Sequence, residues 1–231
     1  MRTLLDYWNE QYYTQPLLLC VLFITLVISI RKRKKFPSLN YIPLYVISLL
    51  LPISGGPIFD LDLLSPNIKF YHYLDYFFTL IELWVFSVFY HRTLKSKFVK
   101  KLIIQVNVWF VPLYIYYLVT DRLFYHAISE ETQSTVYTIE AFLIAVPCFN
   151  YFIELFKFPP TKSLRNDPAF WISTGILFFI VCTLPFSIIE NHLAEIDLKA
   201  TRRLYSLFFI FYVVLFCMII RAYLCKLKEE I

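Results

Sequence analysis

Seven apolar stretches, each near the ~20 residues that a helix needs to cross a bilayer, follow one another along this chain of 231 residues. They lie at about 13–30, 41–59, 71–91, 102–120, 135–156, 168–189 and 203–224. In hydrocarbon each backbone N–H and C=O must find its partner inside the protein, so such stretches become helices. The expected fold is all-α. It is a polytopic membrane protein with seven transmembrane helices in one bundle, and residues 1–231 make a single transmembrane domain. The 59% hydrophobic content and mean hydropathy of +0.61 exclude an ordinary soluble domain.

Charge orients the bundle. Arg31 to Lys35 follow the first stretch, and Arg92, Lys95, Lys97, Lys100 and Lys101 follow the third. Lys157, Lys162 and Arg165 follow the fifth, and Arg221, Lys226 and Lys228 close the seventh. Basic residues in alternate loops mark the cytoplasmic side. The N-terminus is then outside, the C-terminus is cytoplasmic, and the expected location is the inner (plasma) membrane. Flanking charge on spanning helices accounts for the net +5, so no nucleic-acid partner is expected. The basic run follows the first apolar stretch instead of preceding it, which reads as an uncleaved anchor.

The five cysteines offer no CxxC and no Cys/His zinc spacing, and they read as packing residues. With three glycines and 20% aromatics, the helices are expected to pack through aromatic side chains. Prolines 112, 147 and 185 are expected to kink their helices. Ser54-Gly55-Gly56-Pro57 is expected to end the second helix, and Asn166-Asp167-Pro168 to open the sixth.

Polar residues inside these stretches are the candidate site. His72, Asp75, Thr79 and Glu82 fall within an arc of about 80° on one helix. A carboxylate near mid-bilayer, where Glu82 is expected, is costly unless it faces protein, water or an ion. Tyr137 and Glu140 enter the fifth stretch from the same side, Ser187 and Glu190 share a face with Thr183 on the sixth, and Arg203 opens the seventh. If these faces point inward, the outer half of the bundle holds an acidic cavity with arginine at its rim. Three chemistries fit such a set: a pocket for a small ligand or cation, a metal held by His72 and Asp75 with Glu82 or His192, and hydrogen-bonding glue between helices. The inner half is less polar. Gln105, Asn107 and Asn150 stand there, and Glu154 beside Lys157 is expected to reach water at the boundary. No continuous hydrophilic path is visible, which disfavours a channel.

Several enzyme types lack their parts. The seventh stretch has no lysine for a retinal Schiff base, there is no HxxxH pair of the alkaline-ceramidase type, and Glu130-Glu131 is not followed by the arginine of a prenyl-protease-like site. No GxSxG, GxGxxG or Walker-type loop occurs. No cofactor is expected.

The segments YHYLDYFFTLIELWVFSVFY and NDPAFWISTGILFF resemble stretches of uncharacterised bacterial seven-helix inner-membrane proteins. The resemblance implies the architecture and location and carries no named activity. The expected function is that of a receptor-like or sensor protein. Its outward-facing acidic pocket would bind a small ligand or cation from the exterior and signal to a separate cytoplasmic or membrane partner. Alternatives are a lipid-modifying membrane enzyme or hydrolase using the same acidic and histidine groups, and a small transporter or membrane scaffold.

Overall fold

The computed structural model describes the backbone of residues 15–60, 70–125, 130–159, 163–196 and 198–225. Side chains are described for residues 15–54, 77–116, 119, 135–159, 163–186, 188 and 207–225. The described residues are mostly helical, with no strand among them. Among the described residues the α-helices are α1 (Gln15–Lys32), α2 (Ile42–Asp60), α3 (Phe70–Thr93), α4 (Lys97–Tyr125), α5 (Glu130–Lys157), α6 (Pro168–Ile196) and α7 (Leu198–Tyr223). Among the described residues five helical stretches, two of them taking in a short 3-10 turn, are long and apolar enough to cross a membrane: Gln15–Lys35, Pro37–Ser54, Lys97–Tyr116, Thr135–Lys157 and Pro168–Phe186. A shorter apolar helix covers Leu207–Tyr223.

Six helices make a ring. The order around it is α1, α2, α3, α5, α6 and α7, each packed on the next, with α7 closing onto α1. α4 lies outside this ring, against α3 and α5. Its exposed residues include Phe98, Ile104, Val108, Trp109, Val111, Leu113, Ile115 and Tyr116. Among the described residues the helices thus form a closed ring with α4 outside it.

Tyr45 of α2 stands in the ring interior, fully buried. Its ring stacks on Phe78 of α3 at 5.7 Å and Phe216 of α7 at 5.6 Å. Phe86 meets it edge-on at 5.0 Å. Aromatic contacts of this kind are the packing expected of the composition. At one place a glycine sets the spacing instead. A Cβ at Gly175 of α6 would lie 2.9 Å from the Met218 Cβ of α7, so the missing side chain is what lets α6 and α7 approach.

Two local expectations have different outcomes. Asp167 opens α6: its Oδ1 accepts the Ala169 N–H at 2.9 Å and Pro168 takes the first helical position, while Oδ2 accepts the Tyr151 hydroxyl of α5 at 2.9 Å. The expected break at Ser54–Pro57 does not occur, because α2 runs on to Asp60. Gly and Pro lower helix propensity without forbidding the helix, and tertiary context overrides so weak a prior.

The basic end is stitched together by side chains on backbone carbonyls. Lys32 Nζ donates to Tyr223 O at 3.1 Å, Tyr223 Oη to Leu39 O at 2.9 Å, and Arg92 Nη1 to Pro37 O at 2.7 Å. Arg92 also lies over the Tyr41 ring and Arg221 over Trp171. Glu154 does not simply reach for water. Its two oxygens accept the backbone N–H groups of Lys95 at 2.7 Å and Ser96 at 2.8 Å, tying the end of α5 to the α3–α4 turn. Those N–H groups stand just ahead of α4, where the helix cannot satisfy its own donors.

Candidate functional site: a buried carboxyl pair

Two of the acidic residues singled out from sequence meet inside the ring. Glu82 on α3 and Glu140 on α5 are 8% and 4% exposed. Tyr45 donates its hydroxyl to Glu82 Oε1 at 3.2 Å. Glu140 reaches the α3 backbone at Leu83 and lies close enough to feel the charge of the Glu82 carboxyl. Glu140 Oε1 has no hydrogen-bond donor among the described residues.

Each position follows from local structure. Glu82 lies one turn beyond Thr79, which is buried on the same face of α3. Glu140 lies one helical turn beyond Val136, and both are buried on the ring side of α5. Tyr45 is held by its ring contacts with Phe78, Phe86 and Phe216, so its hydroxyl is aimed before anything binds. Tyr212 of α7 stacks against Phe216 at 6.3 Å and interacts electrostatically with Tyr45. Thr183 of α6 is buried and donates to Phe179 O at 2.8 Å.

Of the other candidates, Tyr137 is half-buried on α5, one turn before Glu140. The side chains of His72, Asp75, Ser187, Glu190, His192 and Arg203 lie outside the described residues, although their backbones belong to α3, α6 and α7. The metal reading rested mainly on His72 and Asp75. Among the described residues no group of three or more His, Cys, Asp or Glu side chains is placed to hold a metal ion.

Two tyrosines escaped the sequence reading. Tyr45 stands in the apolar run IPLYVISLL, where nothing marks it as polar. A phenol deep in a membrane helix nevertheless needs a partner for its hydroxyl, and that requirement was the available signal. Tyr212 is hidden by its aromatic neighbours in the same way.

A smaller polar cluster sits nearer the basic end. Tyr90 of α3, Cys148 of α5 and Ser173 of α6 are buried together, and Cys148 Sγ donates to Ser173 O at 3.3 Å. Positions 82 to 90 and 140 to 148 are each two turns apart, about 12 Å along the axis. Phe86 and Ile144 are buried between the two levels. On α3 and α5 the two clusters are thus separated by buried apolar side chains.

Chemically, two carboxyl groups inside a ring of aromatic and aliphatic side chains are a charge-compensation problem. Two negative charges cannot stand together in such a place without a proton or a cation between them. Tyr45 supplies a hydrogen bond and no charge. Comparison with known proteins adds no assignment: no family model, curated protein or solved structure matches the chain.

Proposed function

We propose that this chain is a multi-pass protein of the inner (plasma) membrane, with seven spans, its N-terminus outside and its C-terminus cytoplasmic. We further propose that it is receptor-like. The Glu82–Glu140 pair accepts a small cation or cationic group from the exterior side, and a separate partner reads the change. The observation that carries this reading is the free Oε1 of Glu140, buried beside a second carboxyl. Helix glue would pair both carboxyls with donors. An oxygen left over next to another acid leaves a place for a positive group.

The helix that carries Glu140 supports the transmission step. α5 bears Glu140 in the ring interior and Glu154 on the α3–α4 turn, with Pro147 midway between them. A proline that interrupts the helical ladder is a natural pivot. Displacement of α5 at the acidic pair would therefore act on the turn at the basic end.

The test is thermal unfolding of the purified full chain against a panel of sodium, potassium, ammonium and methylammonium ions, for the wild type, Glu82→Gln and Glu140→Gln. A cation at a hundred times its dissociation constant stabilises by about 2.7 kcal/mol. The expected result is a cation-specific rise in Tm for the wild type that both variants lose while remaining folded. An equal response in all three proteins would remove the site.

A further inference from the structure

α4 turns a distinctive stripe away from the ring. Lys97, Phe98, Lys101, Gln105 and Trp109 are all exposed, at helical spacings that put them on neighbouring rows of one face. Phe98 and Trp109 are 77% and 75% exposed, among the most open large apolar residues described. In a membrane this face meets lipid, and an unpaired Gln105 amide facing hydrocarbon is costly.

Depth resolves the difficulty. Gln105 lies one turn beyond Lys101, about 6 Å along the axis. Each polar headgroup layer of a bilayer is roughly 5–7 Å thick. With Lys101 at the level of the lipid phosphates, Gln105 therefore stands at the glycerol and ester level, and Trp109 lies a further turn in, among the acyl chains.

Charge singles out one class of lipid. Lys157, at the end of α5, adds another exposed cation near this corner. The carboxylate beside it, Glu154, is occupied by the Lys95 and Ser96 N–H groups. The Lys95 ammonium lies over the Phe158 ring at 5.4 Å. Among the described residues the corner thus holds several lysines against one carboxylate, whose oxygens are taken up by the α3–α4 turn.

We propose that the outer face of α4 is a berth for one anionic phospholipid of the surrounding leaflet. Lys97 and Lys101 hold its phosphate, Gln105 bonds its glycerol-ester region, and Phe98 and Trp109 flank the molecule from interface to chain. The proposal rests on the membrane reading and is independent of the carboxyl pair.

Trp109 reports on the berth directly. The full chain is placed in nanodiscs of phosphatidylcholine containing increasing fractions of brominated phosphatidylglycerol or, separately, brominated phosphatidylcholine. The signal is the tryptophan quenching that Trp109→Phe removes. The expected result is half-maximal quenching at a lower mole fraction for the anionic lipid. The preference should weaken about fivefold for each lysine lost in Lys97→Gln and Lys101→Gln. Equal quenching by the two lipids in the wild type would overturn the berth. So would a preference that survives in the double lysine variant. Glu82→Gln should keep the preference, so a failure of the carboxyl site is read separately.

Discussion

Replacing Glu154 with alanine isolates one structural claim, that a single carboxylate from α5 caps the turn ahead of α4. Two N–H donors bond it at 2.7 and 2.8 Å. Hydrogen bonds to a charged group contribute about 1.5–3 kcal/mol each, so the ceiling is roughly 3–6 kcal/mol. The site is half open to water, and water can take over part of the lost bonding. A cap of this kind, once lost, costs about 0.5–2 kcal/mol in exposed settings. The balance is about 2 kcal/mol. For a chain of this size that corresponds to a fall in Tm of roughly 4–8 °C, measured by circular dichroism of the protein in detergent. Glu154→Gln keeps a weaker acceptor and should fall between wild type and alanine. Lys95→Ala keeps the backbone donor and should leave Tm nearly unchanged. Two results would refute the reasoning: Glu154→Ala melting with the wild type, or Lys95→Ala losing as much as Glu154→Ala, which would make the contact a side-chain ion pair.

Other consequences follow from single positions. Gly175→Ala forces a Cβ to within 2.9 Å of Met218. It should cost about 1–3 kcal/mol as α6 and α7 move apart, seen as a lower Tm, whereas Ala169→Gly should not share that mechanism. Burial raises the Cys225 thiol above its ordinary range, and Asp167 adds to the rise while Arg221 opposes it. Because only the thiolate reacts, alkylation of Cys225, followed by mass spectrometry, should lag behind a free thiol through about pH 8.5. It should slow further in Arg221→Gln; faster labelling of that variant would contradict the assignment. On a cysteine-free background, a cysteine placed within 122–133 should label from outside intact cells and one within 93–99 should not. The reverse pattern would invert the bundle.

The parts read correctly from sequence are those set by local chemistry. Apolar runs become helices because hydrocarbon leaves the backbone no other partner. Asp167-Pro168 opens α6 because an Asp side chain can accept an amide and proline lacks one. Glu82, Glu140 and Thr79 stood out as polar groups in apolar runs, and all three are buried. What escaped depends on partners far along the chain. Glu154 looked like a boundary residue beside Lys157, yet its donors come from residues 95 and 96. Tyr45 carried no polar signature in an apolar run. The exclusion of α4 from the ring was also hidden. Helix α4 has apolar residues on its exposed face, such as Ile104 and Val108, as well as on its buried one, such as Ile103 and Phe110, so its place is set by neighbours far along the chain. Ser54–Pro57 misled because Gly and Pro set only a propensity, and the helix runs on to Asp60 despite it.

The central claim is that Glu82 and Glu140 share one compensating positive charge, a proton or a cation. Infrared difference spectroscopy of the carboxyl C=O stretch tests it most directly, comparing the wild type with the Glu82→Gln/Glu140→Gln double variant in buffer free of added cation. The account predicts a protonated-carboxyl band in the wild type that the double variant lacks. That band should disappear when the stabilising cation from the unfolding panel is added. Identical spectra for the two proteins in this region, with and without cation, would contradict it.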